Sequence, residues 1–120
     1  MFTGIIECVG EIVSVSKNGT NISFWVNSPI SRELKVDQSL SHNGVCLTVE
    51  SIEGDSHSVT AIEETLKKTA LNTWQKGTEI NLERCMLMNG RLDGHIVQGH
   101  VEGTATILRV PMFSSIPRCD

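Results

Sequence analysis

VCLTVESI (residues 45–52), EGD (53–55) and SHSVTAI (56–62) decide the fold class. Both longer runs are rich in β-branched residues and alternate apolar with polar positions, the period of a strand with one buried face. Gly54 stands between them, where a tight turn needs a residue that tolerates positive φ. The stretch reads as a hairpin with Val45–Ile52 as one strand and Ser56–Ile62 as the next.

Outward from the hairpin the chain continues in the same short units. Ser39–Asn43 leads into it. NISFWV (21–26) is aromatic and β-branched and follows the turn signal Lys17-Asn18-Gly19. Ile5–Val15 alternates before that turn, with Gly10 marking a bulge or bend. EINLERCM (79–86) follows the turn at Lys76-Gly77. Five or six strands result, interrupted by two short helices near Pro29–Leu34 and at Glu63–Leu71. Thr60-Ala61-Ile62-Glu63 fits a capping box for the second helix. Glu63/Lys67 and Glu64/Lys68 are favourable i,i+4 pairs, and Leu66 and Ala70 give the helix an inner face. His42 and His57 flank the hairpin and are expected at the surface. Short strands, glycine turns and little helix predict an all-β domain, a small antiparallel barrel.

FTGIIECVGEIVSV (2–15) returns at an offset of 95 as VQGHVEGTATILRV (97–110). Gly4 falls on Gly99, Glu7 on Glu102, Ile12 on Ile107 and Val15 on Val110, and the apolar positions keep step. An offset of one small domain predicts a barrel over 1–96 and, over 97–120, the first strand of a second repeat plus an irregular tail. Pro111 and Pro117 exclude an ordinary central strand in that tail. Thr104–Val110 then carries an unpaired apolar edge, which predicts pairing with a second chain.

The 120 residues suit one domain, with 39% apolar and 20% charged residues. A net charge of −4 with scattered Lys and Arg argues against nucleic acid or an anionic membrane as partner. The absence of Tyr and a total of five Phe and Trp argue against an oligonucleotide-binding barrel. Without a membrane-length apolar run or a basic leader, the protein is expected in the cytoplasm. Cys8, Cys46, Cys85 and Cys119 show no C-x-x-C spacing and read as free thiols. His95 and His100 lack the spacing of a zinc site, so no metal is expected.

Acid–base candidates are few. Glu63 and Glu64 are explained by the helix start and their lysines. Cys46, between Val45 and Leu47, reads first as core filler, and Thr48 and Thr65 as ordinary strand and helix residues. His100 differs, because it replaces the apolar Ile5 of the first copy beside a glycine, which makes it a site candidate.

Met1-Phe2-Thr3-Gly4-Ile5-Ile6-Glu7, Ser41-His42-Asn43-Gly44-Val45-Cys46-Leu47-Thr48-Val49, Glu64-Thr65-Leu66, Asn81-Leu82-Glu83-Arg84 and Gly94-His95-Ile96-Val97-Gln98-Gly99-His100-Val101 come in the order and spacing of the riboflavin synthases. Over residues 1–110 the chain resembles that family. The resemblance implies two similar six-stranded Greek-key barrels in tandem, assembled as trimers, with each site shared between barrels of different subunits. It implies dismutation of two 6,7-dimethyl-8-ribityllumazine molecules to riboflavin and 5-amino-6-ribitylamino-pyrimidinedione, with no cofactor and with lumazine synthase as a partner. The ligand pocket it implies comprises Gly4, Ile5, Ile6, Cys46, Leu47 and Thr48, then Thr60, Ala61, Ile62, Glu63, Glu64 and Thr65, closing with Gly99, His100 and Val101. Ser39, Cys46 and His100 match positions implicated in the family's catalysis, polarising or protonating the lumazine or positioning a water at its C7. Val45 stands where the family often has a second cysteine. A second HNGVCLTV-like block belongs near position 137, beyond this sequence. A single barrel is therefore expected to be a weak enzyme, or a non-catalytic lumazine- and flavin-binding module forming a homo-oligomer.

Overall fold

A computed structural model describes residues 1–86, 94 and 96–110. Its strands are β1 (Cys8–Asn18), β2 (Asn21–Asn27), β3 (Ser39–His42), β4 (Val45–Thr48), β5 (Ser51–Glu53), β6 (Ser56–Ala61) and β7 (Glu79–Arg84), with one helix, α1 (Glu63–Lys68). The sheet is antiparallel throughout, in the order β4-β3-β7-β1-β2-β6-β5. Its two outer strands, β4 and β5, are consecutive in the chain, so the sheet curls back towards itself.

The run read as one strand over Val45–Ile52 is thus two. β4 pairs with β3, whereas only β5 pairs with β6. The break falls at Val49-Glu50, where Asp37 N–H donates to the Val49 carbonyl (2.8 Å) and Val49 N–H to the Gln38 carbonyl (2.9 Å). The same device recurs across the barrel. Gly77 N–H donates to the Ile12 carbonyl and Ile12 N–H to the Thr78 carbonyl, both at 2.8 Å. There β1 bends, with its register shift between Ile12 and Ser14 rather than at Gly10. Gly10 serves close packing instead: a Cβ there would lie 2.8 Å from Leu82 Cδ1 and 2.9 Å from Val26 Cγ1.

Residues 31–40 and 71–80 repeat one backbone course, a 3-10 turn, a left-handed residue (Asp37, φ 72°; Gly77, φ 95°) and entry into a strand. An approximate twofold therefore relates β1, β2 and β3 to β4/β5, β6 and β7. Ser23 and Thr60 meet near its axis, their hydroxyls 2.8 Å apart. That contact, within the β2–β6 ladder, occupies Thr60, so the expected capping box does not form. Ile62 precedes α1 without a side-chain cap, and the helix ends at Lys68, ahead of a separate 3-10 turn at Leu71–Thr73. The first predicted helix is likewise only a 3-10 turn, Ser31–Glu33. Both i,i+4 ion pairs form, Lys67–Glu63 at 3.2 Å and Lys68–Glu64 at 2.9 Å. Leu66 packs against the core, but Ala70 is exposed and Leu71 is buried in its place.

The interior holds Ile12, Phe24, Val26, Leu40, Leu47, Val59, Leu71, Ile80 and Leu82, with Trp74 edge-on to Phe24 at 5.2 Å. It also holds the two histidines expected at the surface, both fully buried. His42 and His57 lie on the inner face because they alternate in step with Leu40 and Val59. Their Nε2 atoms are 3.0 Å apart. The Leu40 carbonyl can only accept, so His42 Nδ1–H donates to it (3.0 Å) and Nε2 accepts from His57 Nε2–H. His57 Nδ1 then accepts from Ser31 Oγ–H (2.8 Å), and Ser31 Oγ from Ser28 Oγ–H (2.6 Å). Burial, reinforced by the charge the neighbouring ring would carry, pushes His42 down to about 3, and burial pushes His57 down to about 4. Both rings are neutral at neutral pH. None of the described helices is long and apolar enough to cross a membrane.

Candidate functional site

Strand alternation turns Leu40, Leu47 and Leu82 inward and leaves Ser41, Cys46 and Glu83 on the outer face, in adjacent register positions of β3, β4 and β7. Two chain segments cross this face. The first is residues 1–7. Its Thr3 N–H (2.6 Å) and Thr3 Oγ–H (2.8 Å) donate to Glu83 Oε2, and Gly4 N–H (3.0 Å) to Oε1. Arg84, one residue on, grips Glu7 through Nη2 at 2.7 Å and reaches Glu33 at 3.2 Å. That guanidinium holds the Glu7 carboxyl below its ordinary pKa.

The second segment is residues 96–101. Phe2 N–H donates to the Val97 carbonyl (2.6 Å) and Val97 N–H to the Phe2 carbonyl (2.7 Å), so repeat-equivalent residues form a reciprocal antiparallel bridge. Two residues further, the Gly99 carbonyl accepts from Cys46 N–H at 2.9 Å. Gly99 has φ +80°, and a Cβ on it would lie 2.9 Å from Cys46 Cβ and 3.2 Å from Phe2 Cε2. Only glycine satisfies both the backbone turn and the close approach.

This crossing delivers His100 and Val101 to the end of β4, opposite α1. Between them opens a cleft of about 190 Å³ lined by Cys46, Glu64, Thr65, Lys68, Gly99 and His100, with Val45, Thr69 and Val101 completing it. Thr69 Oγ–H donates to the Thr65 carbonyl (2.7 Å) and accepts from Leu71 N–H (3.3 Å), fixing the end of α1. At the rim, the Lys68 hydrogen bond holds Glu64 below its usual pKa and raises Lys68 in turn. Among the described residues no group of three or more His, Cys, Asp or Glu is placed to hold a metal. The cleft offers a thiol, a hydroxyl, an imidazole and the peptide groups of an edge strand. Such a set suits holding a flat heterocycle and a polyol.

Of the residues singled out from sequence, Cys46, Glu64, Thr65, Gly99, His100 and Val101 converge here. Leu47 and Ala61 lie in the core. Thr60 is held by Ser23, and Ile62 and Glu63 are exposed around the start of α1. Ser39 pairs with Thr48 at the end of the β3–β4 ladder away from the Asn43-Gly44 turn. Gly4, Ile5 and Ile6 leave the Phe2–Val97 bridge in the direction opposite to Gly99–Val101, because the bridge is antiparallel. Ile5 and Ile6 are 46% and 44% exposed. Lys68 escaped the sequence reading although it lies one turn from Glu64 and Thr65. Its lysine–glutamate spacing accounted for it too readily. His95 and Cys119 lie outside the described residues.

The lumazine binding domain family matches residues 3–85. The chain belongs to the lumazine-binding domain family. This lumazine-binding barrel is 44% identical over 111 residues to riboflavin synthase of Bacillus subtilis, covering 92% of this chain and 52% of that protein. It is 41% identical to the riboflavin synthase of Bacillus amyloliquefaciens (96% and 54% covered) and 38% identical to that of Saccharomyces cerevisiae (97% and 52%). The chain thus spans about half the length of the curated relatives it matches. The lumazine-binding fold also superposes on LumP complexed with 6,7-dimethyl-8-(1'-D-ribityl) lumazine, with a TM-score of 0.77 and 27% identity over 86% of this chain and 58% of that one. LumP complexed with riboflavin gives the same TM-score at 28% identity, covering 86% of this chain and 56% of that one.

Proposed function

We propose that this barrel is the first half of a riboflavin synthase, which dismutes two 6,7-dimethyl-8-ribityllumazine molecules to riboflavin and 5-amino-6-ribitylamino-pyrimidinedione. The observation that carries the reading is the cleft where Cys46, Thr65 and His100 meet beside the outer strand β4. Edge-strand peptide groups read the pyrimidinedione rim, hydroxyls hold the ribityl chain, and the cleft contributes orientation more than acid–base power. Cys46 and His100 polarise or protonate the ring, or position a water at C7, with Ser39 in support from along the β3–β4 ladder. Through the Phe2–Val97 bridge, Gly4, Ile5 and Ile6 stand towards a second barrel as Gly99, His100 and Val101 stand towards the first.

On this reading the protein works in the cytoplasm as a homo-oligomer, with lumazine synthase as a partner. The apolar segment carrying Ile107 and Leu108, 80% and 93% exposed, supports pairing with a second copy. Incubation with 6,7-dimethyl-8-ribityllumazine is the direct test. Saturable binding with weak or undetectable turnover is expected of the 120 residues alone, and rapid turnover would overturn the shared-site account. The likeness to LumP supports a second reading, a non-catalytic lumazine and flavin carrier. Complete absence of turnover after supplying a second-barrel fragment would select it.

A further inference from the structure

We infer that Glu83 is a positioning residue for the ligand cleft: its carboxylate fixes Thr3 and Gly4, and through Phe2 and Val97 it holds Gly99 and His100 over β4. The inference rests on the reading of the cleft as a lumazine or flavin site.

Glu83 is only 4% exposed. Among the described residues it has no ion-pair partner, since Arg84 turns to Glu7 and Glu33. Burying a lone carboxylate for packing alone is costly, and an apolar or amide side chain would cost less. Here the negative charge has a specific use. Three donors converge on its two oxygens, Thr3 N–H and Oγ–H on one and Gly4 N–H on the other. The Thr3 hydroxyl, its proton committed to Glu83, accepts Ile5 N–H at 3.2 Å. The N–H groups of residues 3, 4 and 5 are therefore ordered around one anion, and Gly4, with φ +86°, permits the curve.

The consequence travels along covalent bonds and two contacts. Phe2 precedes Thr3 directly and makes both hydrogen bonds to Val97. Its ring would be 3.2 Å from a Cβ at position 99, so it also sets the height of Gly99 above Cys46. Releasing Thr3 frees Phe2, and freeing Phe2 releases the segment that brings His100 to the cleft. Glutamine cannot substitute, because its amide N–H would face a backbone N–H on one side or the other.

The test uses the intact chain, with riboflavin and 6,7-dimethyl-8-ribityllumazine as probes followed by fluorescence, and amide exchange read at Val97 and Cys46. Glu83→Gln is expected to weaken both ligands about tenfold or more, the scale of a lost charge-assisted hydrogen bond. It should also speed exchange at Val97 and Cys46, leaving the β1–β2 ladder protected. Should that variant fail to fold, Thr3→Val, which removes only a partly exposed hydroxyl, is expected to shift affinity and exchange in the same direction, and Thr3→Ser to restore both. Weakened binding with unchanged protection at Val97 and Cys46 would overturn the inference, as would unchanged affinity when the clasp is broken. If the unaltered chain binds neither probe, the cleft reading falls, and the exchange measurements still decide whether Glu83 orders the segment.

Discussion

Residues 8–15 and 103–110 descend from one pattern and meet different fates. In the first copy Ile12 is fully buried within β1, flanked by β2 and β7. Its counterpart Ile107 is 80% exposed on a segment with no assigned strand. Gly10 admits Leu82 and Val26 where no Cβ would fit, while its counterpart Ala105 is exposed. Alternation states which side chains share a face. Whether a strand forms depends on neighbours far away in sequence, here β2 and β7 for one copy and none among the described residues for the other.

Acid separates the two regions most. His42 and His57 are neutral in the barrel, and in the unfolded chain they bind protons below about pH 6.5. The unfolded state therefore takes up more protons as pH falls from there towards 4 and 3. Stability is full above that window and is lost through it, at about 1.4 kcal/mol for each pH unit of displacement, several kcal/mol in all. A urea midpoint followed by tryptophan fluorescence should fall steeply between pH 6.5 and 4, with loss of protection in β1 but no corresponding change in 103–110. A flat midpoint would contradict the buried pair.

Next comes the isoleucine pair. Ile12→Ala should cost about 2–5 kcal/mol of barrel stability. Ile107→Ala should stay within about 0.5 kcal/mol and act instead on self-association, measurable by sedimentation. Equal effects on urea unfolding would erase the distinction. Smallest is the glycine pair. Both Gly4→Ala and Gly99→Ala meet a left-handed backbone, costing about 1–2 kcal/mol. Gly99→Ala adds overpacking of about 1–3 kcal/mol against Cys46 and Phe2, whereas a Cβ at Gly4 meets only Val97 Cγ2 at 3.8 Å. Thermal melts of the two variants should differ by that increment, and riboflavin titration should respond to Gly99→Ala more than to Gly4→Ala.

The same lesson explains what the sequence made legible. Strand class, turns at Gly19 and Gly54 and the helix ion pairs are local matters of period, φ and spacing, and they read correctly. The split at Val49-Glu50 is made by Asp37 and Gln38 from another connection, and nothing in VCLTVESI announces it. SRELKVDQSL and LNTWQKGTEI share the backbone course of the two crossings without one identical residue. Thr60 offered a cap by pattern and gave its hydroxyl to Ser23 by topology. Cys46, Thr65 and His100 were reachable through family blocks. Glu83 and Arg84 stood inside such a block, but only the crossing of residues 1–7 over β7 shows what they hold.

The polar filament inside the barrel has a direction. From Ser28 through Ser31, His57 and His42 to the Leu40 carbonyl, every proton points the same way. Moving the His42 proton from Nδ1 to Nε2 would set donor against donor at His57 and lone pair against lone pair at the Leu40 carbonyl. The Leu40 carbonyl thus fixes the tautomer of His42 and, through it, that of His57, so one backbone acceptor sets the proton order at the centre of this small barrel.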